Sequence, residues 1–342
     1  MSELTSPSSQ FEEWTFVEDE FGVVYCLGRN IEGSIHEAVA VYERSDSGTK
    51  YKLDTLSSYK RVMYHGFPEE NSRLDNLSQS SRASILGNMS LSNSCIFLDP
   101  SDMEFVDEAY KSVEDWLNTT DSRRAMFRQA LEQACGIVQQ IGLSLEGGRL
   151  YGGASFGLVG QPDKRVDDVD FLLDVSSAEL YEATRRLQTP YTWDDIDPSS
   201  ILSERRKLLK AKRWSTSQVR ILEPDFLSID LKVRRDPDAD SLWDNLHHGV
   251  EPSEIFEAKL KIVDDSESYC TSPALSCEDA KGNELILLLR GYPYIGCALK
   301  DDIITVRGRK VEDSPVVLVT QSSDDLLIPD FSNVPISNNL FI

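Results

Sequence analysis

Two aspartates spaced two apart, Asp168 and Asp170, sit in the run Val166-Asp-Asp-Val-Asp-Phe-Leu-Leu-Asp174. On a strand that spacing turns both carboxylates to one face. Side by side they repel unless a cation lies between them, and Mg²⁺ (or Mn²⁺) takes such oxygen donors with substrate phosphates completing its shell. Val169, Phe171, Leu172 and Leu173 would anchor the strand in a core. Upstream stands Tyr151-Gly-Gly-Ala-Ser-Phe-Gly157. A glycine-rich turn after a strand lets backbone approach a phosphate, and a helix start there offers N–H groups to the same anion. Gly152, Gly153 and Ser155 are therefore the candidate phosphate contacts.

A third acid, Asp230, lies in Ser228-Ile-Asp-Leu-Lys232, flanked by apolar residues. An acid inside a strand is costly to bury without a partner. If this strand pairs beside the first, three carboxylates could hold two metals for in-line phosphoryl transfer. Positive charge for a triphosphate is available in residues 204–220. There Arg205, Arg206, Lys207, Lys210, Lys212, Arg213 and Arg220 face the single acid Glu204, a local charge of +6 in a chain of −23. Of these, Arg205, Arg206, Lys210 and Arg213 are the candidate nucleotide contacts.

Each feature also has a plainer reading. Asp167, Asp168, Asp170 and Asp174 could be a solvated strand and its ends, and Asp230 a half-exposed strand position. Gly152 and Gly153 could make a tight turn and nothing more. Charge runs such as residues 204–213 usually form an exposed helix face. The glycine turn and the strand–helix–strand order tip the balance toward the metal reading for Asp168 and Asp170. His247 and His248 are adjacent and cannot share a strand face, and His36 and His65 are isolated.

The elements that must hold these groups follow from the hydrophobic pattern. Residues 23–27 and 38–42 read as strands of a meander with its turn in 28–33. Residues 53–64 read as a helix, and 68–94, dense in Ser and Asn, as a long loop. Helices are expected over 102–117 and over 122–141, where Phe127, Leu131, Ala134, Val138 and Ile141 recur at helical spacing. Then come a strand at 149–151, a short helix at 155–159, a strand at 169–175 and helices at 178–187 and 199–213. Strands at 219–222 and 226–233 complete that region. Beyond residue 254 short strands are expected at 255–263, 284–289, 303–306 and 316–319, a small β-barrel pattern of OB-fold type. The resulting expectation is an α+β chain. A flexible tail (1–10) precedes a β-rich N-terminal domain and linker (11–100) and a central mixed sheet with helices (101–250). A C-terminal barrel (251–332) and a second tail (333–342) follow.

Composition narrows the function classes. The 342 residues are 40% hydrophobic and 27% charged, an ordinary globular balance. A net charge of −23 argues against coating nucleic acid by bulk charge, while leaving room for a local basic groove. There is no apolar run of membrane-spanning length and no secretory leader pattern in the Ser-rich start. The cysteines Cys26, Cys95, Cys135, Cys270, Cys277 and Cys297 form no C-x-x-C pair and no zinc spacing, which fits reduced thiols in the cytoplasm. Tyr292 and Tyr294 lie among Arg290, Lys300, Arg307, Arg309 and Lys310, a mixture that can stack bases but reads as readily as core tyrosines with solvated arginines.

At the glycine turn (Gly152, Gly153), the Asp168/Asp170 pair and Asp230, the chain resembles the nucleotidyltransferase superfamily that includes DNA polymerase beta and the CCA-adding enzymes. It is also similar to a group of predominantly archaeal predicted nucleotidyltransferases in FVEDEFGVVYCL (16–27), IFLDPSDMEFVDEAY (96–110), FEAKLKIVDD (256–265) and RGYPYIGCALKDDIITVRGRKV (290–311). Gly153 stands where the family pattern has serine, with Ser155 two residues on. The resemblance implies a nucleotidyltransferase-like mixed sheet. It also implies Mg²⁺ or Mn²⁺ held by Asp168, Asp170 and Asp230, and transfer of a nucleoside monophosphate from an NTP to a hydroxyl, nucleic acid being one candidate acceptor. The alternative is a catalytically degenerate module that binds nucleic acid or a partner protein.

Overall fold

The computed structural model describes residues 11–62, 79, 90–92, 95–105, 111–120, 124–160, 166, 168–187, 218–221, 227–235, 241–245, 254–290, 294–320 and 326–329. The chain opens with eight strands: β1 (Phe16–Glu18), β2 (Val23–Glu32), β3 (Ile35–Arg44), β4 (Lys50–Lys52), β5 (Ser58–Arg61), β6 (Ser90–Ser92), β7 (Cys95–Leu98) and β8 (Glu104–Phe105). Helices α1 (Val113–Asn118) and α2 (Ala125–Gln140) follow, then β9 (Arg149–Leu150), β10 (Leu158–Val159), β11 (Asp168–Leu173) and helix α3 (Ser177–Leu187). Next come β12 (Gln218–Ile221) and β13 (Leu227–Val233). The last strands are β14 (Glu254–Asp264), β15 (Ala274–Asp279), β16 (Glu284–Leu289), β17 (Ile303–Lys310), β18 (Val316–Val319) and β19 (Leu326–Pro329).

Three sheets result. Nine strands form the N-terminal half-barrel, in the order β10-β4-β5-β3-β2-β1-β8, with β7 on β3 and β6 on β7. Two strands share one edge of β3: β5 takes its Tyr42–Arg44 end and β7 its His36–Ala38 end. The half-barrel is buried on both faces. Val24 and Cys26 of β2 join the main core, whereas Val23, Tyr25 and Leu27 join a second cluster with Phe11, Val17 and Leu98. Burial on both sides makes Val-Val-Tyr-Cys-Leu a continuous apolar run rather than an alternating one.

The central sheet has the order β12-β13-β11-β9, with β11 parallel to β13 and antiparallel to β9. Val169, Phe171 and Leu173 of β11 and Ile229, Leu231 and Val233 of β13 alternate along their strands. They pack in one core with Phe127, Leu131, Ala134 and Val138 of α2 and Leu180 and Ala183 of α3. The same core takes in Trp14, Phe16, Tyr42 and Tyr59 of the half-barrel. Phe156 lies 6.5 Å from the Phe16 ring and 6.3 Å, edge-on, from Tyr59.

The C-terminal strands run β14-β15-β16-β18-β17-β19, and a second pairing of β14 with β17 closes a five-stranded barrel. Its interior holds Leu260, Ile262, Leu287, Leu289, Ile304, Val306 and Val317. Outside, Trp243 of a short 3₁₀ turn (Leu242–Asn245) covers Leu288, Val316 and Leu318.

The expected α+β class is corrected by this architecture. Strands account for 43% and helix for 19%, with three α-helices among the described residues, so the molecule is mostly β around a half-barrel and a closed barrel. Two expected helices explain part of the error. Of the expected helix at 53–64, residues 53–62 instead turn back at 53–55 and enter β5, whose backbone pairs with β3 and β4, and 63–64 lie outside the described residues. Within 102–117 the stretch Glu104–Phe105 pairs with β1, and a helix begins at Val113, where the Ser112 hydroxyl accepts from Asp115 N at 3.1 Å. Sheet partners distant in sequence override the local preference. The expected helix at 122–141 forms as α2, whereas 155–159 splits into a 3₁₀ turn (Ala154–Phe156) and β10. The expected helix at 199–213 lies outside the described residues, as does most of the loop at 68–94.

Candidate functional site

Parallel pairing of β11 with β13 sets Asp170 in register with Asp230 and Asp168 with Ser228. Alternation then gives the sheet two unlike faces: the apolar one under α2 and α3, and one carrying Asp168, Asp170, Asp230 and Lys232. Asp168 is exposed at the start of β11, Asp170 half-buried, and Asp230 buried. Lys232 is wholly buried, and its Nζ donates to Asp230 Oδ1 at 2.7 Å. A buried ammonium beside a buried carboxylate satisfies both charges, and removing either partner would strand the other.

The glycine turn presses on this face. Tyr151 N donates to Asp170 O at 3.2 Å, and Gly152 follows at φ +73°. A Cβ at position 152 would collide with Asp170 Oδ2, so glycine answers both to the backbone angle and to the close approach of the carboxylate. A Cβ at position 153 would stand 2.9 Å from the Tyr42 hydroxyl oxygen of the half-barrel. The Ser155 hydroxyl is buried and donates to Gly152 O at 2.9 Å, which closes the turn from within. Beyond the turn, Gly157 O accepts from Leu53 N and β10 joins β4, so the loop stitches the central sheet to the half-barrel.

The electrostatics follow from this crowding. Burial pushes the Asp170 carboxyl well above its ordinary value, and the neighbouring charges of Asp168 and Asp230 push it the same way. Arg61 and Lys232 pull against that shift. Burial, with the charges of Asp170 and Asp168 adding to it and Arg61 opposing, pushes the Tyr42 phenol up to about 12. Tyr42 and Arg61 are Cα partners on β3 and β5, so the half-barrel delivers both to the acidic face.

The structure therefore gathers Asp168, Asp170, Asp230, Gly152, Gly153 and Ser155 in one place. Arg205, Arg206, Lys210 and Arg213 lie outside the described residues. Arg220 sits on β12 at the register position of Ser228. Tyr42 and Arg61 went unrecognised in the sequence. Tyr42 ends an apolar strand pattern, Arg61 falls inside an expected helix, and nothing in their spacing ties either to residues a hundred positions away.

Asp168 and Asp170 supply hard oxygen donors of the kind Mg²⁺ or Mn²⁺ takes, and a cation would offset the repulsion that Asp168 and Asp230 exert on Asp170. Asp230 already carries Lys232 on one oxygen. Among the described residues no three His, Cys, Asp or Glu side chains are gathered closely enough to enclose a metal. The donor set thus fits one open-sided cation on Asp168 and Asp170 better than a closed cage. Compared with known proteins, the chain matches no family model, no curated protein and no solved structure.

Proposed function

We propose that this protein is a metal-dependent transferase that moves a nucleoside monophosphate from an NTP to a hydroxyl acceptor. The carrying observation is the β11–β13 register, which aligns Asp170 with Asp230 on the face that bears Asp168, under a glycine turn pressed against Asp170. The acceptor oxygen forms a bond to the α-phosphorus while the bond to the β-phosphate oxygen breaks, so pyrophosphate leaves and the hydroxyl proton passes to solvent. Asp168 and Asp170 would hold Mg²⁺ or Mn²⁺, which when bound neutralises phosphate charge and activates the attacking oxygen. Gly152 leaves free the space beside the turn that the Asp170 carboxylate occupies. Lys232 pairs with Asp230 at the site's buried end. Positioning and fixed charge supply the acceleration. Nucleic acid is the first acceptor to test, and Arg205, Arg206, Lys210 and Arg213 are the candidate nucleotide contacts.

A second reading draws on the Lys232–Asp230 pair, which occupies a carboxylate that a two-metal site would need. It is a catalytically silent module that binds nucleic acid or a partner protein. Calorimetry separates the two. NTP binding that requires Mg²⁺ and disappears in Asp168→Asn/Asp170→Asn is the outcome the enzyme reading predicts. Binding of nucleic acid without metal, steeply weakened by salt and unchanged in that variant, would replace it with the module.

We place this activity in the cytoplasm. Supporting this, Cys26, Cys135, Cys270, Cys277 and Cys297 are buried thiols outside any disulfide. No helix among the described residues is long and apolar enough to cross a membrane.

A further inference from the structure

We propose that Tyr42 and Arg61 of the half-barrel are the phosphate-recognition side of this site, gripping the polyphosphate of the substrate against the Gly152–Gly153 turn. The proposal rests on the transferase reading and extends it to residues that no motif marks. β3 and β5 run antiparallel with Tyr42 and Arg61 as direct partners, so their side chains emerge next to one another on one face of the half-barrel. That face meets the acidic strand. The Tyr42 hydroxyl occupies the space beside Gly153 where a side chain would otherwise stand, 2.9 Å from the Cβ position. Gly152, one residue earlier, touches the Asp170 carboxylate. The turn therefore presents its backbone to a carboxylate at one residue and to a phenolic O–H donor at the next.

Arg61 completes the set. It is exposed, while Tyr42 is buried, so the pair runs from the interior to the mouth of the site. Its charge is felt at both Asp170 and Tyr42. Lys232, also on the acidic face, is wholly buried and paired with Asp230. A guanidinium at the opening can take two phosphate oxygens through parallel N–H bonds, a geometry suited to a triphosphate. The tyrosine adds a neutral donor, fixed by packing between the half-barrel and the turn.

The physical design explains the covalent route of the chain. Asp168 and Asp170 alone form a negative surface that repels a nucleotide in the absence of cations. Bringing β10 onto β4 draws the turn toward Tyr42, so the turn has the Asp170 carboxylate beside Gly152 and the Tyr42 hydroxyl beside Gly153.

The test is calorimetric titration of the full chain with inorganic tripolyphosphate in Mg²⁺. The variants are Arg61→Gln, Tyr42→Phe and, as a remote control, Lys259→Gln on the exposed face of the barrel. Arg61→Gln is expected to weaken binding about tenfold or more, Tyr42→Phe by about three- to tenfold, and Lys259→Gln not at all. Arg61 is exposed and Tyr42→Phe keeps the buried ring, so unchanged melting curves should accompany these losses. Wild-type affinity in both Arg61→Gln and Tyr42→Phe, or no tripolyphosphate binding by the wild type, overturns the proposal. The transferase reading is judged separately. Nucleotide transfer that needs Asp168 and Asp170 but keeps its KM for NTP in Arg61→Gln would defeat this proposal alone. Arg61-dependent tripolyphosphate binding with no transfer to any acceptor would defeat the transferase alone.

Discussion

At the scale of single residues the site is a problem of crowding. Gly152 sits at a positive φ with a carboxylate where its side chain would go. Gly152→Ala should cost about 1–3 kcal/mol of stability through backbone strain and displacement of Asp170, and should lower transfer activity. Urea denaturation and turnover measured on one preparation check both. An unchanged denaturation midpoint would mean that the turn yields freely. Lys232→Met is expected to cost more, about 3–5 kcal/mol, because it leaves the Asp230 carboxylate buried without its ammonium. Adding Asp230→Asn to Lys232→Met should recover most of that loss, and a double variant no more stable than the single one would contradict the pairing. The sequence made Asp168, Asp170, Asp230 and the glycine turn legible because spacing on a strand and apolar flanks are local signals. Lys232 stood in the same quoted segment, yet its partnership with Asp230 depends on burial, which a single sequence does not display. The hydroxyl of Ser155, read from the sequence as a phosphate contact, donates to Gly152 O and closes the turn.

At the scale of elements, legibility followed periodicity. α2 was visible because Phe127, Leu131, Ala134 and Val138 share one helical face, and these residues are the ones it buries. β16 and β18 were visible as bounded apolar runs. β4, β5 and β8 were not, being short, polar strands that exist because β3, β1 and the loop at β10 offer them backbone partners. Elements are also joined by buried charge. Glu37 on β3 accepts from Arg290 Nε at 3.1 Å and from the Ser272 hydroxyl at 2.5 Å, which ties the half-barrel to the C-terminal barrel. Arg29 lies 3.7 Å from Glu37 and stacks on Trp243 at 4.1 Å, while Arg235 bonds both Glu13 and Glu267. Burial pushes the Glu37 carboxyl up, but Arg29, Arg290 and Ser272 together outweigh it and hold it below its ordinary value. Beside it, His36 is buried and held below 6.5, mainly by that burial, with Nδ1 at 3.1 Å from Gly28 O. Both groups bind protons less readily in the folded chain than in the unfolded one, so both lose stabilising effect on acidification. The His36 contribution starts to fall as pH drops below 6.5, and the Glu37 contribution follows as pH drops below 4.5 toward its lowered folded value. Urea midpoints should therefore decline from about pH 7 to about pH 5, and His36→Gln should flatten that part of the curve. A wild-type midpoint independent of pH over that range would contradict the His36 assignment.

At the scale of the whole molecule, the three sheets are not independent supports for a motif. The central strands share their core with the half-barrel, through Trp14, Phe16, Tyr59 and Phe156, and the acidic face is completed by Tyr42 and Arg61. A fragment beginning at residue 101 should accordingly lose cooperative thermal unfolding, and a sharp transition in that fragment would show that the central sheet stands without the half-barrel. The mostly β architecture was the part least legible in the sequence. Strands buried on both faces lose their alternation, and nonlocal pairing rather than local propensity decides the edges. The placement of Asp168 and Asp170 on one strand face was more legible than the fold, since the two acids are neighbours in one short segment. A net charge of −23 argues against a broad basic surface that coats nucleic acid. The most direct measurement is incubation of the chain with each α-labelled NTP and Mg²⁺ or Mn²⁺, alone and with total RNA or DNA, beside Asp168→Asn/Asp170→Asn. The account predicts label on an acceptor with pyrophosphate released, both abolished in the variant. Transfer that survives both substitutions, or no transfer together with no metal-dependent NTP binding, would contradict it.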